Sequence, residues 1–174
     1  EFMLDRCLCG EKKICLFNNF VKNIELDEKP DIIIIGIPGG IFPQNDNLTN
    51  SFGFPAYEVS CAVRPNAAVM GMLYEDYNEE YLKWVINTVF YKYGFSTDCF
   101  NIANAQFDYP NSGAFNRRIY TTLDSGFIDS KKEQFVTMGF KAYNILNAED
   151  ADNIFQHLVK KLPDYNCGYK VVNT

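Results

Sequence analysis

The chain has 174 residues, 47% of them hydrophobic and 22% charged, with a formal net charge of −6 and a pI near 4.8. A chain of this length buries roughly 70% of its unfolded surface, so neither disulfides nor a metal is needed for folding. The acidic excess argues against nucleic acid as a partner, since phosphate is held by clustered Lys and Arg.

No apolar run approaches the roughly 18 residues of a membrane span, and no signal peptide is visible. The expectation is therefore one cytoplasmic domain over residues 1–174, with 1–11 a frayed terminus. The opening Glu1-Phe2-Met3 reads as a vector remnant before a start methionine or as an internal fragment boundary. Six cysteines, Cys7, Cys9, Cys15, Cys61, Cys99 and Cys167, are irregularly spaced. Free thiols in a reducing compartment are the plain reading. The spacing of Cys7, Cys9 and Cys15 lacks the paired C-x2-C of common zinc sites, so no metal is assigned to it.

In chain order, Ile14-Cys15-Leu16-Phe17 reads as a first short strand, and Val21 to Glu28 is too short and polar for a helix. Ile32-Ile33-Ile34-Ile35, bounded by Pro30 and by Gly36, Pro38, Gly39 and Gly40, reads as a strand buried on both faces, as in parallel sheets. Pro55 suits the first turn of a helix through Tyr57, Val59, Cys61 and Ala62 that stops before Arg64-Pro65. Ala67 to Leu73 is a second buried strand, completing a strand–helix–strand unit.

Asn78 to Tyr93 is the clearest helix. Tyr81, Leu82, Val85, Ile86, Val89, Phe90 and Tyr93 form its apolar face, and Gly94 closes it. On the other side Tyr77, Trp84 and Tyr91 recur every seven residues, either as ring edges at the surface or as a partner-binding stripe. Cys99 to Phe107 reads as a strand, Asp108 to Asn116 as a turn-rich loop, and Arg117 to Leu123 as a strand. Asp124-Ser125-Gly126 reads as a turn into Phe127-Ile128. With no helix between these strands, antiparallel pairing at a sheet edge is expected.

Phe135 to Tyr143 is ambiguous. A last helix runs from about Ala148 to Leu162, capped by Asn147 and ended by Pro163. Its buried stripe is Ala151, Ile154, Phe155, Leu158, Val159 and Leu162, which leaves His157 at the surface. Tyr169 to Val172 adds a short strand. The fold class is α/β, a mainly parallel sheet flanked by helices on both faces in a Rossmann-like three-layer arrangement, with antiparallel strands at one edge.

No G-x-x-x-x-G-K-[ST] and no G-x-G-x-x-G after a strand is present, and a single histidine gives little support to nucleophilic triads. No motif calls for a cofactor, and whether the chain is an enzyme stays open. The loop after Ile35 is the first candidate site, because ligands of open α/β sheets bind beyond the carboxyl ends of strands. Gly39 and Gly40 offer backbone N–H groups, and Asn45, Asp46, Ser51 and Glu58 offer polar side chains. Glu75, Asp76, Glu79 and Glu80 gather at the next strand end. They either stabilise the following helix or share a divalent cation with Asp46.

The segment from Pro30 to Ile41, with Phe52-Gly53, Tyr57-Glu58-Val59-Ser60, Arg64-Pro65-Asn66-Ala67 and Asn147 to Asp152, resembles a clostridial family of peptide maturation system proteins. Its members resemble cassette partners of radical S-adenosylmethionine maturases that act on ribosomally made peptides. The likeness spans residues 12 to 162 and supplies no catalytic signature. Family members are longer, which implies that the chain is the C-terminal part of one. It also implies an accessory or binding role that holds a peptide precursor or the maturase. The order of strand, glycine loop, helix and Arg-Pro-x-Ala is more faintly similar to the downstream half of phosphate-binding-loop ATPases. The competing reading is thus a small-molecule or nucleotide-binding enzyme domain with its site in the glycine loop.

Overall fold

The computed structural model describes Met3 and residues 7–37, 39–43 and 46–165. The chain divides into two compact units, Glu1–Pro65 with Tyr91–Gly94, and Asn66–Phe90 with Phe95–Thr174. Among the described residues it is a mixed α/β protein with six α-helices, a three-stranded parallel sheet and a two-stranded antiparallel one.

In the first unit, α1 (Gly10–Asp27) and α2 (Phe54–Ala62) are joined by a long irregular segment. α1 corrects both the expected strand at Ile14 to Phe17 and the reading of Val21 to Glu28 as too short and polar for a helix. Its partly covered apolar side chains are Ile14, Phe17, Val21 and Ile24, and their spacing is that of one helix face. Asn18 Nδ2 donates to the Ala62 carbonyl at 2.7 Å and ties α1 to the end of α2. α2 starts where Pro55 places it and ends at Ala62, with Val63 already extended at φ −141°.

The expected strand Ile32 to Ile35 does not form. The segment has no strand partner, and Ile32 and Ile34 are 42% and 90% exposed. Isoleucine-rich sequence favours extended backbone, but a strand exists only where a neighbour takes up its N–H and C=O groups.

In the second unit, β1 (Val69–Met72) leads through α3 (Glu79–Tyr93) into β2 (Cys99–Ile102), and the two strands are parallel, Val69 opposite Cys99. The last turn of α3 is counted with the first unit. Gly94 follows it at φ +80°, the left-handed closure its lack of a Cβ permits.

The stretch after Cys99 holds two strands rather than one. β3 (Ala105–Phe107) pairs antiparallel with β4 (Tyr120–Thr122) as expected, but in a sheet of its own rather than at the edge of the parallel one. Between them lies α4 (Tyr109–Phe115), where a loop was expected. Asp108 caps it by accepting from Asn111 N at 3.0 Å, with Pro110 in its first turn. α5 (Ser125–Thr137) likewise replaces an expected turn, with Asp124 Oδ1 accepting from Gly126 N at 2.9 Å. A short turn then leads to the two-residue strand β5 (Ala142–Tyr143), which pairs parallel with β2.

α6 (Ala148–Tyr165) closes the described chain. Asn147 caps it, accepting from Glu149 N at 3.0 Å. It outlasts Pro163, since one missing N–H costs a long helix only a single bond near its end. Phe155, expected in the buried stripe, is 52% exposed. His157, expected at the surface, is half-buried with its ring 6.3 Å from that of Tyr143. The covered face thus runs through Asp150, Ile154, His157 and Leu158, whose spacing is equally helical. The strand expected over Tyr169 to Val172 lies outside the described residues.

The core of this unit joins Met72 of β1, Leu82 of α3, Phe100 and Ile102 of β2, Ile128 and Phe135 of α5, and Ala142 of β5. Phe100 meets Phe135 and Phe140 edge-on, at 5.5 and 5.9 Å between ring centres. Burial of each large side chain contributes about 1.5–3 kcal/mol.

Candidate functional site

The glycine loop is not placed at a strand end, because the strand that was to carry it is absent. Gly39 is exposed at φ +91°, and a Cβ there would meet nothing. A side chain at Gly40 would collide with Asn50, whose Nδ2 donates to the Phe42 carbonyl at 2.6 Å. Asn50, Ser51 and Phe52 all have φ near +50° (52°, 49° and 51°), a left-handed turn that runs into Gly53 at φ +71°. Such non-glycine positions cost about 1 kcal/mol or more each.

Asp46 and Ser51 are exposed, whereas Glu58 is only 2% exposed. The space beside Glu58 Oε1 is closed by Gly10 of α1. A buried Glu58 shares no solvent-facing site with the exposed residues of the loop. Asn45 lies outside the described residues. Among those residues no three His, Cys, Asp or Glu side chains are gathered to hold a metal ion.

The second unit brings its aromatic residues together more effectively. Tyr77 and Tyr81 stack at 5.3 Å with an interplanar angle of 13°, and Tyr81 meets Trp84 at 5.6 Å. The row is anchored inward, since Tyr77 touches the fully buried Phe135 edge-on at 5.9 Å. Its outer members stay open to solvent, with Tyr81 38% and Trp84 50% exposed. The sequence pattern assigned Tyr81 to the buried face. In the structure it is the ring that links Tyr77 to Trp84.

Tyr91, the third expected member, is 83% exposed and falls on the turn of α3 counted with the first unit. The row gains Tyr109 instead, 57% exposed and 4.7 Å edge-on to the buried Phe107. The segment read as a loop, although Asp108 and Pro110 fit equally well the start of the helix that fixes the ring.

Electrostatics mark these rings as neighbours. Burial pushes the Tyr77 phenol up from its ordinary value, and the nearby Tyr81, Glu75 and Tyr109 add to the shift. Burial also raises Tyr81, with Tyr109 contributing, and raises Tyr109, with Glu75 contributing. Glu75 lies among the rings with Oε1 accepting from Phe107 N at 3.2 Å.

Two other carboxylates of the expected cluster are engaged singly. Asp76 pairs with Lys131 at 2.8 Å and Glu79 with Lys83 at 2.5 Å. Lys131 is buried, 4% exposed, and lies 5.0 Å from the centre of the Tyr74 ring. No helix of the described residues is long and apolar enough to cross a membrane.

Comparison with protein-family models, with curated proteins and with solved structures returns no match.

Proposed function

We propose that this chain is a binding protein whose second unit holds a peptide or a partner protein on the Tyr77–Tyr81–Trp84 row, extended by Tyr109. The observation that carries the reading is the contiguity of these rings. Exposed Tyr and Trp side chains that stack on one another and are braced from the core are rigid anchors, which bind at low entropic cost. The resemblance to peptide maturation system proteins supports a peptide precursor or its maturase as the occupant. The nucleotide- or metabolite-binding enzyme domain is the weaker reading, because its site needed a strand end that does not form.

Trp84 is the only tryptophan in the sequence, so its emission reports directly on the row. The test is selection of peptides from a random displayed library on the full chain, with a Tyr81→Ala, Trp84→Ala double variant as the counter-bait. Enriched peptides should shift the emission of Trp84 with micromolar affinity and lose at least about tenfold on Tyr81→Ala. Equal enrichment on the double variant would overturn the reading.

A further inference from the structure

We infer that the aromatic row recognises a basic segment, presenting a Lys or Arg side chain to the rings and to the carboxylates beside them. This rests on the binding role proposed above and names the chemistry of the occupant. The charge pattern supports it. From Arg64 to Lys83 the sequence has no Lys or Arg, yet Glu75, Asp76, Glu79 and Glu80 fall there, at the end of β1 and the start of α3.

Lys131 neutralises Asp76, and Lys83 neutralises Glu79. Among the described residues no cation pairs with Glu75 or Glu80. The nearest basic residues in sequence on the α4–β4 side are Arg117, whose guanidinium lies 5.6 Å from the Phe115 ring centre, and the exposed Arg118. Glu75 uses Oε1 on Phe107 N and lies close enough to Tyr77 and Tyr109 to raise both phenols.

Ring faces with a carboxylate at their margin are the standard surroundings of a bound cation. The ring quadrupole attracts the charge, and the carboxylate accepts its hydrogen bonds. The same surface repels an acidic segment and leaves Glu75 and Glu80 uncompensated against a neutral one.

The test uses the full chain and three acetylated, amidated peptides of one background sequence that carry Lys, Gln or Glu at the same positions. Binding is followed by Trp84 emission and by calorimetry. The Lys peptide should bind about tenfold or more tighter than the Gln peptide. Its advantage should shrink as salt rises, because exposed charges are screened. Glu75→Gln keeps an acceptor for Phe107 N, and Glu80→Gln alters only an exposed position. Each should weaken the Lys peptide several-fold while Asp152→Asn, at an exposed position of α6, leaves it unchanged.

If Lys and Gln peptides bind alike, the cationic specificity is wrong and the peptide-binding role stands. If Asp152→Asn weakens binding as much as Glu80→Gln does, the attraction is that of net charge and the inference fails. If none of the three peptides moves Trp84 emission or evolves heat, the binding role fails with it.

Discussion

Asn144 is fully buried just beyond β5, and Asn144→Ala tests how the second unit is held. Its Nδ2 donates to Asp129 Oδ1 at 2.9 Å and to Ser125 Oγ at 3.1 Å, and its Oδ1 accepts from Leu146 N at 3.2 Å. Its own backbone N–H donates to Asp150 Oδ2 at 2.8 Å, a bond the substitution leaves in place. The side chain thus ties the end of β5 to α5 and to the turn at Leu146, while the backbone N–H makes the link to α6. Two of the lost bonds are neutral, at about 1 kcal/mol each, and the one to Asp129 is charge-assisted, at about 1.5–3 kcal/mol. Asp129 is partly and Leu146 largely open to water, which returns some of this. The expected net loss is about 2–4 kcal/mol.

In urea that lowers the midpoint by roughly 1–2 M at an unchanged slope, and the melting temperature falls by about 5–15 °C. Asn144→Asp keeps the shape but sets a carboxylate oxygen against Asp129. It should be no better than Asn144→Ala at pH 7. The introduced acid has a folded pKa above its unfolded one, so its deficit against the parent should narrow as pH falls towards about 4. If Asn144→Ala unfolds within about 0.5 kcal/mol of the parent, the account of Asn144 as a tie is wrong.

Three further outcomes are expected. Ile34→Lys should change stability by less than about 0.5 kcal/mol, whereas Leu82→Ala should cost about 2–5 kcal/mol, both read from chemical denaturation. A large loss from Ile34→Lys would restore the buried strand. A hydrogen bond from Lys131, and then its charge, hold the Asp76 carboxyl below its ordinary 3.8. A lowered carboxylate contributes stability that is present above pH 3.8 and is lost as pH falls through the folded value, so Asp76→Asn should flatten the acid limb below about pH 4. Burial, and then Asp98, push the Cys99 thiol up to about 11. Cys99 should therefore resist alkylation at pH 8 until the chain is unfolded, while the exposed Cys7, Cys9, Cys15 and Cys61 react at once. Peptide mapping by mass spectrometry distinguishes them.

The sequence was most readable where a long window repeated one signal. α3 has seven apolar positions in register, and its cap, length and buried Leu82, Val85 and Val89 follow from them. α1 carries the same kind of signal in Ile14, Phe17, Val21 and Ile24. A four-residue window over Ile14 to Phe17 hides it, since short apolar runs look alike in strands and helices. α4 and α5 were announced by Asp108 with Pro110 and by Asp124, but aspartate next to glycine or proline serves turns equally well.

The Ile32 to Ile35 run failed for a different reason. Its composition states a preference for pairing and says nothing about whether a partner is present. For the site, periodicity located Tyr77 and Trp84 but not the connection between them. Tyr81 satisfies the core pattern and the surface row at once, and Tyr109 comes from an element whose position depends on tertiary packing.

The order of the parallel sheet, β1-β2-β5, bears on how the chain tolerates cutting. Arg117 and Arg118 are exposed, just after Asn116 in left-handed conformation and just before β4, whose three side chains all face solvent. A trypsin nick between them meets little resistance, as accessible, weakly packed backbone is what a protease engages. The break falls between β2 and β5, so each fragment keeps one strand of the Phe100–Ala142 pairing. The core of Leu82, Phe100 and Phe135 is divided between the two pieces and holds them together. The second unit is therefore expected to stay assembled after the cut, its two pieces separating only under denaturant.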